Sequence, residues 1–435
     1  MSPAWQLKAL AALAVAALQP HPASAHSIEE RWIESWGTAL PLQPPPPPPV
    51  FPRSEAPPEA PTEKAPSPSP FVPFPATLQD QTVRMALRVS AGGQRFRLEF
   101  ANANGAQPVI FETVHAGVAG EGDAVVDSSS REVTFSGKAG LVLLPGARVV
   151  SDPIELSVAP LARVMVSVHL PDLTPATTVD ALGLMPAWIA AGNQVASPTL
   201  TNATPVSSFF WLRGLSVPAA GAEDGTIVAL GDSITEGYST TAGANRSWPD
   251  LLAERLQADP ELKGWGVVNV GISGNRVLRA GVGDAAVARF SEDVLTRPGA
   301  KWVLILEGIN DINMSIMPGM PDSESVSAQA LIDGLGQLID RAHLHGLKVA
   351  GGTILPTKGL PFFSAEGEAI RQEVNTWIRT SGRFDRVIDF DAATRDAADP
   401  QRLRLEFDPG DHVHPNDLGN QAMANAIDLN WFKEP

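Results

Sequence analysis

The stretch Ile227-Val-Ala-Leu-Gly231-Asp-Ser233-Ile-Thr-Glu-Gly237 decides the fold of the C-terminal half of this chain. Its first four residues are apolar and predict a buried strand, and the Gly231-Asp-Ser233 segment predicts a turn into a helix. A serine at a strand-to-helix transition can turn its hydroxyl toward a cleft and its backbone N–H toward an anion. An Asp-Ser pair at this place is also a common helix N-cap, so a catalytic role for Ser233 needs partners elsewhere in the chain.

The same rhythm of strand, loop and helix continues to the C-terminus. Apolar strands are predicted at 227–230, 267–270, 302–306, 349–354 and 387–390, and helical patterns at about 248–258, 284–295, 325–346, 366–380 and 417–432. This alternation predicts an α/β fold, with a parallel sheet and helices on both of its faces. In such sheets the functional residues lie beyond the carboxyl ends of the strands, so the loops after the strands are where chemistry is expected.

Two of these loops carry hydrogen-bond donors. The second strand leads into Gly271-Ile-Ser-Gly274-Asn-Arg276, in which Gly274 allows the backbone to approach a ligand closely. The third strand leads into Gly308-Ile-Asn310-Asp, and the side-chain amide of Asn310 can donate to a developing oxyanion. Three successive strands therefore end in loops that carry, in order, a nucleophile candidate and two donor candidates.

The segment Asp411-His-Val-His414-Pro stands just before the last predicted helix. A carboxylate three residues before a histidine can accept its ring N–H, fix the tautomer and stabilise the imidazolium. Ser233, His414 and Asp411 thus make up a complete catalytic triad. The competing interpretation is a metal site, because carboxylates and imidazoles cluster here, at Asp408, Asp411, His412 and His414. Under the triad hypothesis His412 is a satisfied neighbour.

These four blocks, in this order and spacing, resemble the SGNH or GDSL hydrolases, a superfamily of serine esterases with a flavodoxin-like sheet. The resemblance implies that Ser233 is the nucleophile, that His414 is the base and that Asp411 orients it. It also implies an oxyanion hole formed by the Ser233 N–H, Gly274 and Asn310, and it implies no metal and no cofactor. More loosely, the N-terminal half resembles that of secreted bacterial members described as arylesterases or carbohydrate acylesterases.

The region before residue 220 has a different pattern. Short runs that alternate apolar and polar residues, such as Met85-Ala-Leu87-Arg-Val89, are separated by turn dipeptides, which predicts an antiparallel, sandwich-like β domain over 81–219. Before it, residues 41–80 are rich in proline, with an unbroken proline run at 44–49, and predict an extended linker. The segment 26–40 contains Trp32-Ile-Glu-Ser-Trp36, which alternates like a half-buried strand.

Residues 1–25 combine Lys8, an apolar run from Ala9 to Leu18 and the small residues Ala23-Ser-Ala25, which is typical of a secretory signal peptide. We therefore expect a periplasmic or secreted protein whose catalytic domain spans 220–435, with no membrane span. The formal charge of −16 gives no electrostatic support for binding nucleic acid. The absence of cysteine excludes disulfides, thiolate nucleophiles and Cys-ligated metals. The sequence does not define an oligomeric state.

The predicted activity is hydrolysis of short acyl esters, with acetyl as the first expectation, on carbohydrate or aryl alcohols; the partner is a small-molecule or glycan ester. A first alternative is a lipase-like esterase for longer chains, because several apolar side chains could wall an acyl pocket or only anchor loops: Met314, Ile316, Met317, Met320, Phe362 and Phe363. A second alternative is a non-catalytic, exported carbohydrate-binding protein in which the β domain does the work.

Overall fold

The computed structural model describes residues 30–41 and 72–434. The predicted signal peptide and most of the predicted linker lie outside the described residues. The N-terminal strands are β1 (Trp32–Gly37), β2 (Thr77–Leu78), β3 (Gln81–Arg88), β4 (Arg97–Ala101), β5 (Val109–Phe111), β6 (Val114–Val118), β7 (Arg131–Glu132), β8 (Thr134–Phe135), β9 (Lys138–Ala139), β10 (Leu141–Leu143), β11 (Arg148–Val150), β12 (Arg163–Leu170), β13 (Thr174–Pro175), β14 (Val179–Asp180), β15 (Ala187–Ala191), β16 (Thr204–Val206), β17 (Phe209–Phe210) and β18 (Leu212–Pro218).

Two antiparallel sheets dominate this N-terminal region. One has the strand order β1-β18-β4-β11 and the other the order β16-β15-β3-β12-β6-β7. Alternate residues of both sheets, such as Leu98 and Phe100 of β4 and Val164 and Val166 of β12, point into one shared apolar core. The predicted all-β, sandwich-like architecture is confirmed. Its physical basis is the period-two pattern, which gives each sheet one continuous apolar face.

The first strand corrects one expectation. The alternating pattern of Trp32–Gly37 predicted a half-buried strand with polar residues in solvent, but Glu34 and Ser35 are fully buried. β1 pairs with β18 of the β region, and on its other side the Glu34 N–H donates to the carbonyl of Pro298, 3.0 Å away. Because β1 lies between the β region and the C-terminal part of the molecule, both faces of this strand are covered.

The predicted linker, 41–80, extends too far at its C-terminal end. Leu78 is fully buried, and β2 pairs in antiparallel register with β13, so the β region begins before residue 81. The proline-rich composition stops at about this point, but a two-residue strand is too short to produce a periodic signal in the sequence.

The C-terminal strands form a five-stranded parallel sheet in the order β20-β19-β21-β22-β23, which is a flavodoxin-like order. These strands are β19 (Gly225–Gly231), β20 (Trp265–Gly271), β21 (Ala300–Leu306), β22 (Lys348–Gly352) and β23 (Arg386–Ile388). All five lie within a few residues of the predicted strands, so the predicted parallel sheet is confirmed. The fifth strand ends earlier than expected, because the Asp389 side chain caps a short helix that begins at Phe390.

The helices are α1 (Ser233–Glu236), α2 (Trp248–Ala258), α3 (Ala286–Phe290), α4 (Ile309–Ile316), α5 (Ala328–Leu344), α6 (Ala365–Thr380), α7 (Phe390–Thr394) and α8 (Asp417–Asn425). A π-helical segment, Ser291–Leu295, follows α3, and 3-10 turns occupy Asp127–Ser129, Asp322–Glu324 and Leu429–Phe432. Two predicted helices are therefore interrupted: 284–295 divides into α3 and the π segment, and 417–432 into α8 and a 3-10 turn. The predicted helix at 325–346 begins later, because Ser327 caps α5.

The helices pack in two groups around the sheet. In one group α8 contacts α2 and α7; in the other α6 contacts α4 and α5, and α5 contacts α3. Short helices α1, α4 and α7 were not predicted, because one or two turns do not establish a 3.6-residue period. Within residues 30–41 and 72–434, no helix combines the length and apolar character needed to cross a membrane.

Candidate active site

The strand order brings three of the sequence blocks to one point. Gly231, at the end of β19, is in register with Gly271 of β20 on one side and with Leu306 of β21 on the other. β19 is the strand at which the sheet order reverses, and ligands of open α/β sheets bind at this switch point. A side chain at position 271 would collide with the backbone of Glu236, 2.4 Å from its Cβ, so a glycine is required for this close approach.

Ser233 begins α1 directly after β19. The Asp232 carboxylate accepts the Ile234 N–H at 2.9 Å, so Asp232 is the N-cap of the helix and Ser233 its first residue. The N-cap alternative raised by the sequence therefore applies to the aspartate. It leaves the serine hydroxyl available for other contacts.

Ser233, His414 and Asp411 form one hydrogen-bonded row. The Ser233 hydroxyl lies 2.8 Å from His414 Nε2, and His414 Nδ1 lies 2.8 Å from Asp411 Oδ2. Ser233 is 6% exposed, and the His414 side chain is 16% exposed. With Nδ1 protonated and bonded to the carboxylate, Nε2 has a lone pair directed at the hydroxyl, as proton removal from the serine requires.

The surroundings keep Asp411 ionised. Its other oxygen, Oδ1, accepts the backbone N–H groups of Val413 (3.0 Å) and His414 (2.9 Å). Burial by itself would raise the pKa of Asp411, but the charge of His414 and these hydrogen bonds outweigh it and lower the pKa to about 2. The carboxylate is therefore a charged acceptor throughout the neutral range.

A second histidine-aspartate pair lies beside the first. His412 Nδ1 is 2.6 Å from Asp408 Oδ2, and Asp408 Oδ1 accepts the His412 N–H at 3.1 Å. The hydrogen bond that His412 donates to Asp408 raises the pKa of His412. Each histidine is thus paired with its own carboxylate, and the described residues contain no group of three or more His, Asp or Glu that could hold a metal ion. This arrangement does not favour the metal interpretation.

Gly274 lies in the loop after β20, whereas Asn310, expected in a loop, lies in the first turn of α4 directly after β21. Gly274 has a φ of +80°, a left-handed conformation that favours glycine. The Asn310 side chain donates one amide hydrogen to the carbonyl of Asn275 at 3.0 Å, which ties the first turn of α4 to the loop after β20. An amide nitrogen carries two hydrogens, so the second hydrogen of the Asn310 amide is left for another acceptor.

Buried carboxyl groups surround the ends of these strands. Burial raises the pKa of Asp232 to about 7. Burial also raises the pKa of Glu307 well above its ordinary value, with the neighbouring charge of Asp232 as the next cause. Neither oxygen of Glu307 has a hydrogen-bond partner within 30–41 and 72–434. The only described cation close to Glu307 is Arg289, whose Nη2 lies 3.6 Å from its carboxylate.

Sequence reasoning missed two residues that touch the row. The Tyr238 ring centroid is 4.4 Å from that of His414, and the Ser239 hydroxyl donates to Asp411 Oδ2 at 3.3 Å. Both belong to the loop after α1, so their position just beyond the serine block was the available signal. The β region contacts the same loop, because the Gly243 N–H donates to the carbonyl of Leu184 at 2.7 Å.

The comparisons with known proteins agree with the geometry of the C-terminal half. Residues 229–422 match the model of the GDSL-like lipase/acylhydrolase family. The match is confined to this part of the chain, and it is to the family that the sequence blocks predicted. The protein is a carboxylic ester hydrolase, which favours the enzyme over the carbohydrate-binding alternative. No curated protein matches the chain.

Several solved structures are similar to about half of the chain. One is a lipolytic protein of the G-D-S-L family from Desulfitobacterium hafniense DCB-2, with 21% identity, 47% of this chain and 97% of that chain covered, and a TM-score of 0.35. Another is a GDSL-like lipase from Bacteroides thetaiotaomicron VPI-5482, with 19% identity, 50% and 92% coverage, and a TM-score of 0.37. An acetylxylan esterase from Geobacillus stearothermophilus has 24% identity, 48% and 95% coverage, and a TM-score of 0.37. At these values the similarities carry no argument about substrate.

Proposed function

We propose that this protein is an exported serine esterase that hydrolyses short acyl esters, acetyl esters first among them, of carbohydrate or aryl alcohols. Ser233 is the nucleophile, His414 the general base and Asp411 the residue that orients it. The observation that carries the proposal is the unbroken row of 2.8 Å contacts from the Ser233 hydroxyl through the imidazole to the carboxylate. The signal-peptide pattern at 1–25 supports export.

The reaction proceeds in two steps. His414 Nε2 takes the hydroxyl proton as Ser233 Oγ attacks the acyl carbon, and the imidazolium then gives this proton to the leaving alcohol. The tetrahedral oxyanion accepts hydrogen bonds from the N–H groups of Ser233 and Gly274 and from the Asn310 amide. In the second step water attacks the acyl carbon as His414 takes its proton, and the imidazolium then returns this proton to Ser233 Oγ as the acyl–Oγ bond breaks and the acid is released.

The preference for short chains is supported by how the candidate acyl wall packs. Ile316 presses against α6, since its Cδ1 would lie 2.8 Å from a Cβ at Gly367. Ile316 therefore anchors α4 against α6 and does not line an open acyl pocket with this part of its side chain. Met320 is 40% exposed, and this exposure is what favours the second candidate function, hydrolysis of longer acyl chains.

The test uses a fluorophosphonate probe and a panel of p-nitrophenyl esters from acetyl to palmitoyl, with acetylated xylan alongside. We expect the probe to label the wild-type enzyme at Ser233 and to leave Ser233→Ala unlabelled, with the highest kcat/KM on acetyl or butyryl esters. Ser325→Ala is the matched control, since it removes an exposed hydroxyl outside the row and should still be labelled. A folded wild-type protein that resists the probe would refute the triad, and a preference for palmitoyl would refute the substrate class.

A further inference from the structure

One buried arginine, Arg289, contacts the ends of three neighbouring strands below the candidate active site. It lies near the end of α3, and its side chain is 5% exposed. Nη2 donates to the carbonyl of Gly231 at 3.0 Å, and Nη1 donates to that of Val270 at 2.7 Å. The same Nη2 lies 3.6 Å from Glu307, the residue that follows β21.

Arg289 also bonds to the loop after β20, which accepts a hydrogen bond from Asn310. Its Nε donates to Asn275 Oδ1 at 3.0 Å. The backbone carbonyl of this asparagine in turn accepts the Asn310 amide at 3.0 Å, and Gly274 is its neighbour in the chain. All three proposed oxyanion donors are therefore linked to the same guanidinium. Ser233 follows Gly231 by two residues, and Gly274 and Asn310 are linked to it through Asn275.

We propose that Arg289 is the positioning residue that sets the geometry of the oxyanion hole by joining the ends of β19, β20 and β21. The inference rests on the proposed function, because it concerns the donors of that site. A guanidinium is planar and holds its five N–H donors in a fixed fork, so the acceptors at the ends of β19 and β20 and on Asn275 are fixed relative to one another. The link to β21 is the charge contact with Glu307 at 3.6 Å. A lysine ammonium keeps the charge but is a point donor, and it cannot span the three strand ends.

The charge of Arg289 has a second effect at the same place. Against the larger effect of burial it lowers the pKa of Glu307, and it lowers the pKa of Asp232 less than the charge of His414 does. Arg289→Lys separates the two contributions, because it keeps this positive charge and removes the fork.

The experiment compares Arg289→Lys with Arg297→Lys in the full-length enzyme. Arg297 is an equally buried arginine close by in the chain, and its side chain bonds to Glu34 (2.9 Å) and to the carbonyl of Thr38 (2.7 Å) at the boundary with the β region. Its Nε also donates to the carbonyl of Asp293, whose carboxylate pairs with Arg289 at 3.0 Å, but its side chain bonds to none of the described residues at 271–276 or 308–311. Both substitutions should lower the Tm, so the Tm reports the structural effect that they share.

The expected signature is a split between kcat and KM on p-nitrophenyl acetate. Displacing oxyanion donors by about 1 Å lowers kcat roughly 10- to 100-fold in Arg289→Lys and leaves KM within about threefold, whereas Arg297→Lys keeps the wild-type kcat. Since Arg289 acts through Asn310, the Arg289→Lys and Asn310→Ala losses should also be non-additive, with the double variant losing less than their product.

If Arg289→Lys does not fold, Asn275→Ala takes its place, because it removes the Nε acceptor; it should show the same fall in kcat and the same non-additivity. The inference is overturned if the folded variant retains kcat within threefold, if Arg297→Lys loses as much, or if the losses multiply. A folded wild-type enzyme that neither hydrolyses the ester nor reacts with fluorophosphonate would instead overturn the proposed function, and this inference with it.

Discussion

Replacing Asp411 by asparagine should disable the enzyme by forcing the wrong histidine tautomer. The Asp411 Oδ1 atom accepts two backbone N–H groups, from Val413 and His414. An asparagine must therefore place its own oxygen there and its NH2 group at the position of Oδ2. The NH2 group would then face His414 Nδ1, which lies 2.8 Å from Oδ2 in the wild-type enzyme. Two donors cannot share a bond, so Nδ1 becomes the acceptor and the proton moves to Nε2.

With Nε2 protonated, His414 cannot take the proton of Ser233. A triad held in the wrong tautomer loses about 10⁴ in kcat, which corresponds to about 5.4 kcal/mol of transition-state stabilisation. The geometry of the backbone is retained, so we expect little change in the circular dichroism spectrum or the Tm. The assay is steady-state hydrolysis of p-nitrophenyl acetate, with the rate of fluorophosphonate labelling as an independent measure of the nucleophile.

Asp408→Asn is the matched control for this substitution. Asp408 bonds to His412 in the same way, with Oδ1 on a backbone N–H and Oδ2 on Nδ1, and lies in the same loop. It removes the same charge but leaves the row to Ser233 intact, so kcat should stay within about tenfold of the wild-type value. Retention of more than a tenth of the activity by Asp411→Asn, or an equal loss in Asp408→Asn, would contradict the tautomer argument.

Three further predictions concern the oxyanion hole, the buried acid and the boundary between the two parts of the molecule. Asn310→Ala should lower kcat about 10²- to 10³-fold with an unchanged circular dichroism spectrum; a loss below tenfold would remove Asn310 from the oxyanion hole. Burial raises the pKa of Asp232 from 3.8 to about 7, so the folded protein binds this proton more tightly than the unfolded chain. The stability that results is present below about pH 3.8 and is lost as the pH rises through 7, so Asp232→Asn, which can still cap α1, should flatten the dependence of Tm on pH across this window; an unchanged slope would disprove it. Glu34→Ala should lower the free energy of unfolding in urea by about 3–5 kcal/mol, since it removes the closest counter-charge of the buried Arg297, whose Asp293 partner is 3.9 Å away, whereas Glu34→Gln should cost less; equal losses would argue against the ion pair.

The features that sequence reasoning recovered are local ones. The strand before Ser233 and helix α2 were predictable because a buried strand is an apolar run and a helix repeats every 3.6 residues. The spacing of Asp411 and His414 was equally readable, since three residues on one loop are enough for the carboxylate to reach the ring. Short helices such as α1 carry no such period and were missed.

Burial of polar residues was the main source of error. Glu34 and Ser35 lie in an alternating segment that is typical of a strand with one solvent-exposed face. Nothing in that pattern indicates that a second layer covers the polar face. Arg289 likewise reads as an ordinary charged residue on a helical pattern. Its role depends on acceptors at Gly231, Val270 and Asn275, which are far from it in the chain and are backbone or amide oxygens without a signal of their own.

The amino-acid sequence alone determined the order of chemical groups along the chain: a serine after one apolar run, donors after the next two, and a histidine with its carboxylate near the end. Only the tertiary structure decided which of these groups meet. Ser233 and His414 are 181 residues apart, and their 2.8 Å contact depends on β19 lying at the switch point of the sheet. Periodicity reports how each segment is buried, whereas contacts between distant segments depend on strand order and register, which no single segment encodes.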